Sequence, residues 1–506
     1  MKFQSSNQKA ISFINLINIH QSPMKKSIKL IAVCFIVQLF AVTVTAQDKA
    51  TQIDQLLSKY NEYGQFNGSA LVAEHGKVIF KKGYGQANME WDIQNQPDTK
   101  FRLGSISKQF TAFLIVKLAE KGKIKLDKPI TTYLPNYPKA TGDKITVHHL
   151  LTHTSGIPNY TSAPNFLKEK SRNPYTPEEF VKTFENLPLD FTPGEKFSYS
   201  NSGYFLLGYI IEKITGKTYE QYLQETIFTP LKMVNSGYDH SDVILKNRAA
   251  GYEKAGKKIV NASYIDMSIP YAAGSLYSTV EDLYLWDQAL YTNKLLSEKS
   301  MESLFKPYIA QGDEAYGYGW FLRDVTNGKG KVKVIEHGGG INGFNTNISR
   351  VPSDKILIVL LNNTGRTVLG EMTESIRNIL YNQPFNQPKK SMAFELLDVL
   401  TEKGAVTGAE TYKKLKADAT YGIKEDDMNN VGYQLLMTGK KKEAIEVFKI
   451  NVEAFPKSGN AYDSLGEAYL ADGDTKLAVA NYKKSIELDP KNEHGKEVLA
   501  EILKKK

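Results

Sequence analysis

Ser105-Ile-Ser-Lys108-Gln-Phe-Thr-Ala-Phe-Leu-Ile-Val-Lys-Leu118 is the stretch on which the reading of this chain turns. A hydroxyl and an amine stand three residues apart, one helical turn, and so lie on the same side of a helix. A serine hydroxyl is a poor nucleophile until a base takes its proton. Lysine serves as that base only where burial or a nearby cation lowers its pKa. The apolar run from Phe110 to Leu118 supplies a helix that would sink Lys108 in a low-dielectric core. The Ser-x-x-Lys spacing alone carries little, because it occurs four times, at Ser6, Ser22, Ser105 and Ser303. Of these, only Ser105 opens a long apolar helix. Ser303 is followed by Lys306-Pro307, where the proline ends the helix and leaves the lysine solvated.

Two further stretches complete a constellation. Phe197-Ser-Tyr-Ser-Asn-Ser-Gly-Tyr204 offers Tyr199 and Asn201 just after the turn Pro193-Gly-Glu195. A phenol acts as a general base where cations stabilise its anion, and an amide side chain can hold a substrate carbonyl or the lysine. The same Tyr-x-Asn spacing at Tyr291 falls in a polar loop and reads as structural. His337-Gly-Gly-Gly340 follows an apolar strand, and its glycines let a substrate backbone approach a sheet edge while leaving an N–H for an oxyanion.

Strand signals sit at both ends of this region. Gly68-Ser-Ala-Leu-Val-Ala73 and Lys77-Val-Ile-Phe-Lys81 predict a hairpin across Glu74-His-Gly76. A helix is predicted over 52–60. Strands are predicted over 332–335, 343–350 and 356–361, then a helix over 369–380. Residues 105–300 read as helices broken by Gly and Pro, with a capping box at Ser278-Thr-Val-Glu281. The fold class that follows is α+β: an antiparallel sheet built from both ends of a domain, flanked by helices, with a helical insert.

The chain resembles the serine β-lactamase and D-alanyl-D-alanine peptidase superfamily, in its class C-like branch of esterases and D-aminopeptidases. Ser105-Ile-Ser-Lys108, Tyr199-Ser-Asn201 and His337-Gly-Gly339 stand in that family's order. Gly83-Tyr-Gly-Gln-Ala-Asn88, Leu150-Leu-Thr-His-Thr-Ser-Gly156 and Ala273-Gly-Ser-Leu-Tyr-Ser278 resemble its flanking stretches. The likeness spans roughly residues 50–381 and implies acyl transfer. Ser105 would attack a carbonyl while Lys108 and Tyr199 pass its proton to the leaving group. The N–H groups of Ser105 and Gly340 would hold the oxyanion. Asn201 would orient the substrate amide, and His337, with Gly339, would line the site. Family members acting on β-lactams usually carry lysine where His337 stands. A histidine is mostly neutral at pH 7 and anchors a carboxylate weakly. Small esters and D-amino-acid amides or peptides are therefore the expected substrates, with weak or no β-lactam hydrolysis.

Other chemistries fit poorly. His149 and His153 have a spacing that can grip zinc on a helix, but no glutamate of the metalloprotease pattern stands between them, so they read as structural. No serine has glycine two residues away on both sides, which excludes a nucleophile elbow. No cofactor or metal is expected.

The 506 residues exceed one compact core, and 41% hydrophobic with 24% charged residues is ordinary globular composition. Met24-Lys-Lys26, the apolar run 30–44 and Val44-Thr-Ala46 form the grammar of a secretory signal peptide cut near Ala46. Residues 1–23 add nothing to it, and translation is read as starting at Met24. Residues 1–46 hold five lysines and no acid, so the formal +9 falls to 59 basic against 55 acidic residues, or +4. That balance gives no reason to expect a nucleic-acid partner. Cys34, the only cysteine, goes with the leader, which excludes cysteine catalysis and disulfides in an exported protein, periplasmic or extracellular. No stable membrane span is expected after cleavage.

Asn382-Gln-Pro-Phe-Asn-Gln-Pro-Lys-Lys390 is a proline-punctuated boundary. Beyond it Gly432, Ala444, Phe448 and Pro456 recur 34 residues later as Gly466, Ala478, Tyr482 and Pro490. That period resembles tetratricopeptide repeats, with a degenerate helix pair over 393–402 and 410–417 and a capping helix over 493–505. The expected organisation is a leader (1–46), a hydrolase domain (47–381), a linker (382–392) and helical repeats (393–506). The repeats offer a surface for a protein partner. The competing reading is a penicillin-binding, sensor or scaffold protein whose hydrolase-like domain only binds ligand. The paired bases beside Ser105 argue for catalysis.

Overall fold

The computed structural model describes residues 48–164, 166, 170–255, 258–328, 330–365 and 367–504; the predicted leader, with Cys34, lies outside them. Contacts divide the chain after Asp54, and the sheet, the site and the repeats all lie in the unit that starts at Gln55. A helix covers residues 48–62, against an expected 52–60.

The central sheet has eight strands: β1 (Gly68–Glu74), β2 (Lys77–Tyr84), β3 (Ile309–Gln311), β4 (Glu314–Tyr316), β5 (Phe321–Thr326), β6 (Lys331–Ile341), β7 (Phe344–Val351) and β8 (Ile356–Asn362). Their order in space is β3-β4-β5-β6-β7-β8-β1-β2. All neighbours are antiparallel, and β1 pairs with β8 from Gly68 opposite Asn362 to Ala73 opposite Leu357. The predicted hairpin and the three late strands are thus one sheet closed from both ends of the domain. Every residue of β8 is buried, which is why Ile356-Leu-Ile-Val-Leu-Leu361 reads as an unbroken apolar run rather than an alternating one.

Helices cover this sheet. The apolar helix α1 (Ser107–Glu120) is buried on nearly all sides from Ser107 to Val116. Phe110 and Phe113 pack on Trp286, with centroids 4.6 and 5.1 Å apart. The helices α2 (Asn201–Thr215), α3 (Val280–Ala289) and α4 (Gly370–Leu380) complete the layers. The cap of α3 is Thr279, which accepts from Asp282 N–H, and not Ser278, which ends a short strand. The N-cap is therefore displaced by one residue from the predicted capping box, and Glu281 pairs with Lys81 across the surface.

Beyond this lies an all-helical region: α5 (Met392–Ala417), α6 (Glu425–Met437), α7 (Lys441–Ala454), α8 (Gly459–Asp472), α9 (Thr475–Leu488) and α10 (Glu493–Lys504). Gly404, at φ +79°, breaks α5 into the two helical segments expected of a degenerate first pair. The 34-residue period has a direct physical expression. A Cβ on Gly432 would fall 2.4 Å from the Phe448 ring, and one on Gly466 3.3 Å from the Tyr482 ring. Each glycine lets an aromatic of the second helix seat against the first.

Candidate active site

The chain reaches Ser105 through a tight passage. Gly104 takes φ +54°, and a Cβ there would lie 2.9 Å from Gly340 N, so the turn and strand β6 touch backbone to backbone. Only glycine meets both demands without strain. Ser105 then sits in a 3-10 turn, Gly104–Ile106, that runs directly into α1. Its side chain remains partly accessible, whereas Lys108 one turn on is 0% exposed.

Lys108 Nζ has three neighbours: Ser105 Oγ at 3.1 Å, Asn201 Oδ1 at 2.8 Å and the Ala273 carbonyl at 2.9 Å. Burial pushes its pKa well below the ordinary lysine range. A neutral amine has two hydrogens and one lone pair. Asn201 Oδ1 and the Ala273 carbonyl can only accept, so they take both hydrogens and the lone pair is left facing the Ser105 hydroxyl. Asn201 is fixed in this orientation because its Nδ2 donates to Asn159 Oδ1 at 3.3 Å and its own N–H donates to the same oxygen at 3.2 Å. The amide oxygen therefore holds the lysine, one of the two roles that the sequence left open for it, the other being the substrate role that the resemblance implies.

Tyr199 reaches the same place from the loop before α2. Lys108 Nζ lies 4.8 Å from the centre of its ring, and its hydroxyl bonds to Ser105. Burial drives the phenol's pKa up, against the lowering effect of that bond. The expectation of a phenolate stabilised by cations is thus reversed: Tyr199 holds its proton, because burial opposes its anion and disfavours the charged form of the amine beside it.

The strand completes the site. Strand β5 pairs with β6 only from Lys331 to Glu336, whereas β7 pairs from Ile335 to Ile341. His337 to Ile341 therefore present an edge that β5 does not cover, beside the turn carrying Ser105. Gly339 cannot be larger: a Cβ would fall 1.9 Å from Leu103 O and 2.4 Å from Thr346 Oγ1. His337 is 2% exposed. Its Nδ1 lies 2.6 Å from the Gly338 carbonyl, which can only accept, so Nδ1 carries the proton and Nε2 accepts from Tyr316 Oη at 3.2 Å. Burial lowers its pKa to about 3. The ring is neutral and lies behind Tyr199, with centroids 6.3 Å apart.

The two histidines weighed for zinc are engaged elsewhere. His149 Nδ1 accepts Thr146 N–H at 3.2 Å in a capping box. His153 Nδ1 accepts Ser200 N–H at 3.1 Å. Three groups of the site had no assigned role from sequence: Asn159, the Ala273 carbonyl and His153. Two lie in the flanking stretches that resemble the superfamily, and Asn159 follows three residues after Gly156.

An antiparallel sheet with an uncovered edge, against which a buried lysine faces a serine hydroxyl, is the scaffold of a penicillin-binding type of serine hydrolase. The chain belongs to the beta-lactamase family, whose description matches residues 53–380, and residues 459–492 match the tetratricopeptide repeat. Penicillin-binding protein 4* of Bacillus subtilis (strain 168) is 30% identical over 369 residues, covering 68% of this chain and 79% of that protein. The octameric penicillin-binding protein homologue from Pyrococcus abyssi is 30% identical with a TM-score of 0.59, over 70% of this chain and 81% of that one. The D-amino acid amidase from Ochrobactrum anthropi SV3 is 25% identical with a TM-score of 0.57, over 66% of this chain and 97% of that one.

Proposed function

We propose that this protein is an exported serine hydrolase that forms an acyl-enzyme on Ser105. The observation that carries the reading is the pose of Lys108: buried, with Nζ 3.1 Å from Ser105 Oγ and with Asn201 Oδ1 and the Ala273 carbonyl placed to accept its two other hydrogen bonds. Lys108 takes the hydroxyl proton as Oγ attacks a substrate carbonyl. The Ser105 and Gly340 N–H groups hold the oxyanion, and Tyr199 hands a proton to the leaving group. Water then releases the acyl group by the reverse relay. The substrate backbone lies along the edge of β6 from His337 to Gly340.

Small esters and D-amino-acid amides or peptides are the proposed substrates, with β-lactams turned over weakly or not at all. The support is His337, a neutral ring whose two nitrogens are already engaged, where a carboxylate would need a cation. The D-amino acid amidase likeness points the same way. Export rests on the leader read at 1–46 and on relatives named as penicillin-binding proteins, which favours the cell envelope, periplasmic or extracellular. The division into hydrolase (47–381), linker (382–392) and repeats (393–506) is part of the same reading, with the repeats recruiting a protein partner. Among the described residues no helix is long and apolar enough to cross a membrane.

The test is labelling with a fluorophosphonate probe. Wild-type protein is expected to label and Ser105→Ala is not. Lys108→Ala, checked for folding by circular dichroism, should lower turnover of p-nitrophenyl acetate by at least ~100-fold, the loss of a general base. Hydrolysis that survives Ser105→Ala overturns the assignment, and benzylpenicillin turned over as fast as the ester overturns the substrate ranking.

A further inference from the structure

Tyr199 stands in irregular chain between Gly194 and α2, so nothing regular fixes its phenol against Ser105 and Lys108. One residue grips it from below. The His153 carbonyl accepts Ser198 N–H at 2.8 Å, and its imidazole Nδ1 accepts Ser200 N–H at 3.1 Å. Between these two anchors the imidazole lies against the Tyr199 ring, with centroids 4.2 Å apart and planes 32° apart. The same segment continues the attachment, since Thr154 O accepts Gly194 N–H at 2.7 Å and Gly156 O accepts Asp190 N–H at 2.8 Å.

His153 holds this place against two unfavourable terms. Its φ is +56°, a left-handed backbone uncommon outside glycine. Its Nε2 is buried with no hydrogen-bond partner among the described residues. Backbone strain and an unmade buried hydrogen bond persist at one residue only where its surroundings over-determine it. Here the surroundings are the rings of Tyr199, Tyr204 and Tyr316, the latter two 4.9 Å away.

We infer that His153 is a positioning residue for Tyr199: a neutral imidazole, protonated on Nε2, that clasps the backbone on both sides of the phenol and supports its ring. Histidine suits the place because it combines an acceptor at Nδ1 with a flat aromatic face. Asparagine reproduces the acceptor and tolerates the left-handed backbone but has no ring. Phenylalanine reproduces the ring and has no acceptor. Protonation would remove the acceptor and place a cation near Lys108, and burial opposes it. The role rests on the proposed hydrolase reading, since the phenol matters only if Ser105 reacts.

His153→Phe and His153→Asn in the full chain separate these elements. The prediction for His153→Phe is a fall of about 10- to 100-fold in kcat on p-nitrophenyl acetate with KM nearly unchanged, the signature of a misplaced group. Amide hydrogen exchange over residues 194–201 should speed up in the same variant, while His153→Asn recovers most of the protection and part of the kcat. The inference is overturned if the folded Phe variant keeps wild-type kcat, if exchange there is unchanged, or if both variants lose activity and thermal stability equally. Failure of the wild-type protein to react with fluorophosphonate sinks the hydrolase reading instead. The exchange measurement then decides the clasp by itself.

Discussion

In the proposed mechanism Lys108 takes a proton from Ser105 and must arrive with a lone pair free, which Asn201 helps to arrange. Its carbonyl oxygen, 2.8 Å from Nζ, accepts a hydrogen without adding charge. Asn201→Asp would put a carboxylate in the same place. An adjacent negative charge favours the ammonium form, so the lysine pKa rises and the base is available only at higher pH. The expected outcome is slower ester hydrolysis at pH 7 and an ascending limb of the kcat/KM profile displaced to alkaline pH. A limb that does not move would mean that Asn201 does not tune the base. The sequence showed Ser105, Lys108, Tyr199 and Asn201, because short spacings such as one helical turn are visible in it. It did not show what orients them. Asn159 lies 42 residues from Asn201, and the Ala273 carbonyl 165 from Lys108. A backbone carbonyl carries no side-chain signal at all.

At the scale of the element, strand β6 makes unequal use of three successive glycines. Alternate residues of a strand face opposite sides. Gly339 faces the chain entering the turn that carries Ser105 and has no room, whereas added Cβ atoms on Gly338 and Gly340 would lie 3.7 Å from Thr346 O and 3.6 Å from Asn345 Nδ2. Gly339→Ala is therefore expected to lose about 1–3 kcal/mol of stability through overpacking. Gly338→Ala and Gly340→Ala should stay within about 0.5 kcal/mol of wild type, since their added methyl groups make only ordinary van der Waals contacts. Urea unfolding of the three variants checks this, and equal losses would contradict it. From sequence the run His337-Gly-Gly-Gly340 pointed to close approach but not to which glycine is approached, because the neighbour is Leu103. The slip of the α3 cap from Ser278 to Thr279 has a similar cause: pairing with Phe101 holds Ser278 in a strand, and cap chemistry alone does not decide between adjacent hydroxyls.

For the whole molecule, the sheet joins residues 68–84 to residues 309–362, and what the helical insert between them buries is a set of groups that the fold keeps uncharged. The α+β class was legible because apolar runs at the two ends have nowhere else to pair, and the repeats were legible because Gly432 and Gly466 need the same aromatic partner one period apart. The electrostatic consequence was not legible, since it depends on burial. Burial lowers the pKa of His337 to about 3 and that of His153 well below its ordinary range. In the unfolded chain both titrate near ~6.5. As pH falls below that value the unfolded chain binds protons that the fold refuses, so the histidine contribution to stability is complete above ~6.5 and is lost at about 1.4 kcal/mol per pH unit for each histidine below it. The histidine contribution for His337 ends near 3. At the other extreme Tyr160, Tyr204 and Tyr219 are buried and hold their protons above the ordinary range. The unfolded phenols ionise near ~10, so stability falls again as pH rises past that point. Unfolding midpoints measured from pH 4 to 11 should therefore climb through the histidine range, keep climbing towards ~10.4 because the unfolded Lys108 carries a proton that the fold disfavours, and fall once the phenols ionise, and His153→Asn should flatten the acid side by one proton's slope. A midpoint that is constant from pH 7 to 4 would mean that both imidazoles are free to charge inside the fold, and the neutral environment on which Lys108 depends would go with it.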